Sequence, residues 1–232
     1  MKFMNYIHES INDTGILKCI FMSGQAGAGK TYSLSKIQDG KIGTRIVNTD
    51  KLVEYYNFTK NVAADLDRVK LLTKEQLSLY INSMLPLFVD STSTNPNALV
   101  RRKGILSSLG YDCGMVFVNT DLETSIKRVQ NRNRKVPEDL IREKYKEIQE
   151  LVPFYKTQFN FYIEIDNNDG ELNDNAVLKA YKAVNHFYTA PIDNPLGKMV
   201  IDKMKKNNWK YFNNGIYELD YIKRLVDVWY KH

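Results

Sequence analysis

The stretch CIFMSGQAGAGKTYSLSK, residues 19 to 36, constrains this chain more tightly than any other. An apolar run ending in glycine reads as a buried strand entering a tight turn, and the KTYSLSKIQ that follows reads as the start of a helix. Between them, Gly24 to Thr31 satisfies the spacing G-x-x-x-x-G-K-[ST]. The chemistry explains the pattern. Glycines let the backbone curl around a phosphate with its N–H groups turned inward, and the N-terminus of the next helix adds positive potential. Lys30 then reaches the β and γ phosphates, and the Thr31 hydroxyl is placed to ligate Mg²⁺. The nucleotide contacts expected from this stretch are Gly24, Gln25, Ala26, Gly27, Ala28, Gly29, Lys30, Thr31 and Tyr32. A glycine-rich turn without a ligand is the bland alternative. A strand before the loop and a helix after it are the context the motif requires.

Four further strand-like runs follow at 44–50, 85–90, 111–120 and 159–166, with helical patterns between them. Strands alternating with helices argue for a mainly parallel sheet covered on both faces. The predicted fold is α/β, a P-loop NTPase fold with five strands. Pro137 suits the start of a helix over 136–152. The turn-rich NNDGELNDN at 167–175 marks a break, and beyond it the pattern is helical. We therefore expect a nucleotide-binding domain over 1–175, carrying a basic lid at about 121–152, and a helical extension over 176–232. A chain of 232 residues is long enough for one such domain with a full core.

No apolar run approaches the ~20 residues needed to cross a bilayer. The first 15 residues have neither the apolar core nor the cleavage site of a signal peptide, so the expected location is cytoplasmic. Cys19 and Cys113 sit in apolar runs and read as small buried hydrophobes in a reducing compartment; with three histidines, a zinc site is not expected. A net charge of +6 leans toward a polyanionic partner, nucleotide or nucleic acid.

A GTPase switch would carry D-x-x-G and N-K-x-D motifs, and neither is present. A motor would usually end its third strand in an acidic pair, whereas Asp90 stands alone before STSTN. A small kinase needs a carboxylate near the acceptor hydroxyl and cations for the transferred group. Asp50 ends the second strand on the carboxyl edge of the sheet, where ligands bind in open α/β folds. It is a candidate general base, with a helix N-cap as the competing role. Arg128 and Arg132 are four residues apart, the spacing of one helix face, with Arg134 and Lys135 close behind. A solvated charged face is the competing reading of this run.

These residues resemble the kinase domain of bacteriophage polynucleotide 5′-hydroxyl kinase and, more broadly, the zeta-toxin-like P-loop kinases, over about 16–155. The resemblance is carried by FVDSTSTNPNALVRR and by the stretch from VFVNT through Arg128, Arg132 and Val136-Pro137. It implies ATP-dependent transfer to a hydroxyl, with ATP and Mg²⁺ as co-substrate and metal. Asp50 would be the base, Lys30 and Thr31 would hold phosphates and metal, and Arg128 and Arg132 would clamp the transferred group. Asp90 would help to orient metal or acceptor. Lys51, Thr92, Arg101, Arg102 and Arg134 complete the expected acceptor contacts. The chain departs from the family at Val53, where the polynucleotide kinases carry an arginine.

For the acceptor, the basic lid and the KMKKNNWKYFNN tail favour a nucleic acid, DNA before RNA, through a 5′-hydroxyl or a hydroxymethylated base. The competing reading has Trp209, Tyr211, Phe212, Tyr217 and Trp229 packing a helical appendage onto the sheet. A nucleotide sugar is the expected acceptor of a zeta-toxin-like kinase, and a non-catalytic nucleotide-sensing module is a further alternative.

Overall fold

The computed structural model describes residues 13–37, 43–48, 62–90, 94–131, 136–168, 174–207 and 217–231. Five short strands, rich in Val, Ile and Phe, form one sheet in the order β2-β3-β1-β4-β5: β1 (Lys18–Ser23), β2 (Arg45–Val47), β3 (Leu87–Asp90), β4 (Asp112–Asn119) and β5 (Phe161–Asp166). Every neighbouring pair is parallel. The connections are helical, as parallel pairing demands: α1 (Lys30–Ile37), α2 (Val62–Asn82), α3 (Pro96–Ser108), α4 (Leu122–Gln130) and α5 (Glu138–Gln158). Among the described residues three more helices follow β5: α6 (Asp174–Thr189), α7 (Pro195–Lys206) and α8 (Leu219–Trp229). No helix among the described residues is long and apolar enough to cross a membrane.

The period-two alternation of the strands divides the core. Cys19 and Phe21 of β1, Leu87 and Val89 of β3, and Met115 of β4 face a cluster with residues of α2, α3, α5, α7 and α8. Ile20, Met22, Phe88, Val116 and Val118 face the other way, onto Leu34 and Ile37 of α1 and Ala180, Val184 and Tyr188 of α6. β1 lies at the centre and is buried along its whole length. Even Lys18 is buried, at 2% exposure, because its ammonium donates to Asp112 Oδ2 at 2.7 Å and to the Pro191 carbonyl at 2.9 Å. Asp112 also accepts from the Asp193 and Asn194 N–H groups, which ties the chain leading into α7 to the amino edge of the sheet.

The sequence break at 167–175 does not separate two cores. α6 covers one face of the sheet, and α8 buries Ile222, Val226 and Trp229 at a spacing of four and three in the other. Trp229 stacks on Phe21 of the central strand, with ring centroids 6.1 Å apart. The competing reading of the tail is thus the one seen for Trp229, and Tyr217 donates its hydroxyl to the Leu109 carbonyl at 3.1 Å. Trp209, Tyr211 and Phe212 lie outside the described residues.

Two helix limits differ from expectation. α5 runs through Pro153 to Gln158 instead of stopping at 152. The proline removes one backbone donor, but Ile148, Val152 and Tyr155 keep a continuous buried face across it, and that packing outweighs the loss. The stretch 121–134 reads as helical in the sequence, whereas α4 ends at Gln130 with Asn131 as its C-cap. Its start is fixed by Asp121, whose carboxylate accepts from Thr124 N–H at 2.7 Å and from the Thr124 hydroxyl at 2.8 Å.

Candidate active site

The carboxyl edge of a parallel sheet gathers the residue that follows each strand. Here that edge presents the Gly24–Thr31 loop after β1, Asn48 after β2, Asp90 at the end of β3, Thr120 after β4 and Asn167 after β5. The loop is the centre of the site. Gly27 and Gly29 adopt φ values of +80° and +87°, in the left-handed region that glycine alone enters without strain. Both also lack room for a side chain. A Cβ on Gly27 would lie 2.6 Å from the Ser125 carbonyl oxygen of α4, and one on Gly29 would lie 2.3 Å from Asn167 Nδ2.

The side chains of Gln25 and Ala26 turn into the protein. Gln25 is buried and donates to the Thr120 carbonyl, while Ala26 packs against Ile126, Val129 and Ile141 of α4 and α5. The backbone of the loop, and not these side chains, is what remains for a phosphate. Lys30 folds back over the loop, donating to the Gly24 carbonyl at 2.7 Å and the Gln25 carbonyl at 3.1 Å. Thr31 is exposed at the head of α1. Tyr32 is exposed beside it, its ring 5.6 Å from Lys36 Nζ.

Arg128 reaches the loop from α4. One guanidinium nitrogen donates to the Gly27 carbonyl at 3.3 Å and the other to the Asn167 carbonyl at 2.9 Å, so the arginine braces the loop against the end of β5. Asp90 pairs in register with Met22 of β1, two positions before the loop, and accepts from Asn48 Nδ2 at 2.7 Å. That contact spans the ends of β2 and β3 and fixes one carboxylate oxygen. A triphosphate fits these parts: a loop held open by two glycines, an ammonium lying across it, and a guanidinium behind it. Among the described residues no three His, Cys, Asp or Glu side chains cluster. Mg²⁺ would therefore rest on Thr31, Asp90 and phosphate oxygens, the sparse protein set this cation usually accepts.

Two expected acceptor residues are placed elsewhere. Arg101 donates to the Val228 carbonyl at 3.1 Å and also to the Lys231 carbonyl. Arg102 donates to the Trp229 carbonyl at 3.4 Å and lies 5.6 Å from its ring. Both arginines meet the open carbonyls at the end of α8, where a helix attracts cations. Asp50, Lys51, Thr92, Arg132 and Arg134 lie outside the described residues.

Sequence reasoning missed Asn167, Thr120 and Asn48. Each directly follows a strand at the carboxyl edge, and that position was the available signal; neutral amides and hydroxyls carry no motif that marks them.

The sequence comparison with curated proteins finds no match. Among solved structures, the fold is similar to shikimate kinase from Bacteroides thetaiotaomicron, at 17% identity and a TM-score of 0.44, over 72% of this chain and 96% of that one. A gluconokinase from Sinorhizobium meliloti is similar at 13% identity and 0.48, over 75% and 94%. The structure from the PezAT toxin–antitoxin system of Streptococcus pneumoniae is similar at 14% identity and 0.47, over 88% and 90%. The sequence model of the zeta toxin family matches residues 12–177, a span that contains the loop, all five strands, Asp90, Arg128 and Asn167. By that match, which takes in the whole carboxyl edge just described, the chain belongs to the zeta toxin family.

Proposed function

We propose that this protein is an ATP-dependent kinase that transfers the γ-phosphate to the hydroxyl of a small acceptor of the nucleotide-sugar class. The observation that carries the reading is the shared edge: Lys30 lies across the phosphate loop, and the Asp90 carboxylate stands one strand away, held by Asn48. Donor and acceptor would meet between them.

The roles follow from charge and position. The loop's N–H groups and Lys30 bind the β and γ phosphates, and Arg128 keeps the loop in shape. The acceptor oxygen attacks the γ phosphorus, the bond to the β–γ bridging oxygen breaks, and ADP leaves. Asp50 takes the hydroxyl proton. Bound Mg²⁺ supplies neutralising charge to the phosphate oxygens. ATP is preferred here as the donor because the chain carries no N-K-x-D guanine-reading motif.

A nucleic acid is the second reading, favoured by the net charge of +6. Four residues expected at an acceptor or in the aromatic tail make contacts within the fold: Trp229 and Tyr217 are packed, and Arg101 and Arg102 meet carbonyls of α8. The test is a panel of acceptors with γ-labelled ATP: nucleotide sugars, 5′-hydroxyl DNA and RNA, and duplex DNA carrying hydroxymethyl pyrimidines. Label on a nucleotide sugar supports the first reading. Label on DNA or RNA, with binding that falls steeply as salt rises, replaces it with the second.

A further inference from the structure

We propose that Asn167 is a positioning residue for the nucleotide's phosphates, holding the Ala28–Gly29 peptide so that the loop's N–H groups face the ligand. The inference rests on the reading of the loop as an ATP site and adds to it a residue outside the motif. Asn167 is the first residue after β5 and is 5% exposed. Its Nδ2 donates to the Ala28 carbonyl at 2.6 Å.

The rest of the residue is fixed from three directions. Its N–H donates to the Asn119 carbonyl at 2.9 Å, and its own carbonyl accepts from Thr120 Oγ1 at 2.9 Å and from Arg128 at 2.9 Å. A buried amide held this firmly is a bracket, and the loop is what it grips. The Ala28 carbonyl and the Gly29 N–H belong to one trans peptide and point in opposite directions. Fixing the carbonyl on Asn167 therefore turns the Gly29 N–H away from it, the orientation that a phosphate-binding loop needs.

Position 29 is matched to this bracket. A Cβ there would lie 2.3 Å from the same Nδ2, so a side chain at 29 and the amide at 167 exclude each other. Without the bracket the loop would still be threaded between β1 and α1, but its central peptide would be free to rotate. The cost would then appear as lost affinity for the phosphates, with the acceptor unaffected.

The experiment compares full-length wild type with Asn167→Ala, Asn167→Asp and Thr120→Val. Binding of a fluorescent ATP analogue with Mg²⁺ is measured alongside kinetics with ATP and acceptor varied separately. Asn167→Asp keeps the size of the side chain but faces the Ala28 carbonyl with an acceptor. In both Asn167 variants the Kd and KM for ATP should rise about ten-fold, the loss expected for one buried hydrogen bond and its stranded partner. The acceptor KM and kcat should change less than about three-fold. Thr120→Val, which removes one support of Asn167, should raise the ATP Kd by a smaller factor, about three-fold. An Asn167→Asp protein that binds ATP like wild type would show that the side chain only fills space and would overturn the inference. So would unchanged ATP affinity in Thr120→Val together with a fall in kcat alone in the Asn167 variants. Wild-type protein that binds no ATP would instead overturn the kinase reading, and the two failures are thereby distinguished.

Discussion

At the scale of single residues, the phosphate loop makes the strongest demands. Lys30→Ala should abolish phosphate transfer and weaken ATP binding, measured by labelled transfer and by titration calorimetry. Asp50→Ala should abolish transfer while leaving ATP binding nearly intact; normal transfer by this variant would rule out Asp50 as the proposed base. Gly27→Ala should destabilise the protein by about 1–3 kcal/mol in denaturant melts, because a side chain at φ +80° is strained and meets the Ser125 carbonyl. The cysteines give a further check. Burial pushes the Cys113 thiol up to about 12 and Cys19 well above its usual value, so both stay protonated at neutral pH. Neither should react with a thiol reagent at pH 8 until the protein unfolds, as read by mass spectrometry. The loop residues were legible in the sequence because the motif fixes both residue types and spacing. Asn167 and Asn48 were not, since their roles depend on which strand ends the sheet topology brings together. The contacts of Arg101 and Arg102 with α8 were hidden for a related reason: a charged pair in a helix does not disclose which carbonyls it meets.

At the scale of elements, the helices carry most of the departures from sequence expectation. Strand positions were plain because short apolar runs bounded by Gly, Pro and Asn have few other uses in an α/β chain. Helix ends were less so. A proline ordinarily closes a helix, yet Tyr155 is fully buried two residues beyond Pro153, and burial of that face keeps α5 intact. The start of α4 rests on the Asp121 cap, whose carboxyl is held below its ordinary range, first by the Thr124 N–H. Asp121→Ala should cost about 0.5–2 kcal/mol. The sign is that of a depressed carboxyl: the stabilisation is complete above the ordinary carboxylate pKa and is lost as pH falls through the lower folded value. The wild-type advantage over Asp121→Ala in thermal melts should therefore shrink only in acid. For α8, Trp229→Ala should destabilise by about 3–5 kcal/mol, since it empties a ring-sized volume against Phe21 on the central strand. An unchanged melting midpoint would contradict the placement of α8 in the core.

At the scale of the whole molecule, the parallel sheet decides what lies near what. Its carboxyl edge collects the phosphate loop, Asp90, Arg128 and Asn167, while its amino edge carries the Lys18–Asp112 pair and the approach to α7. The start of α7 is therefore anchored at the edge opposite the loop. The C-terminal helices are layers of the same core, so removing residues 217–232 should leave an unfolded or aggregating protein and not a trimmed active one. As proposed, this edge moves a phosphoryl group from ATP to a hydroxyl. Its most direct test is the transfer of γ-labelled phosphate by wild type and by Lys30→Ala, in the presence of Mg²⁺ and the acceptor panel. Label should be covalently attached to one acceptor class with wild type and to none with Lys30→Ala. Label released only as free phosphate, or attached equally well by Lys30→Ala, would contradict it.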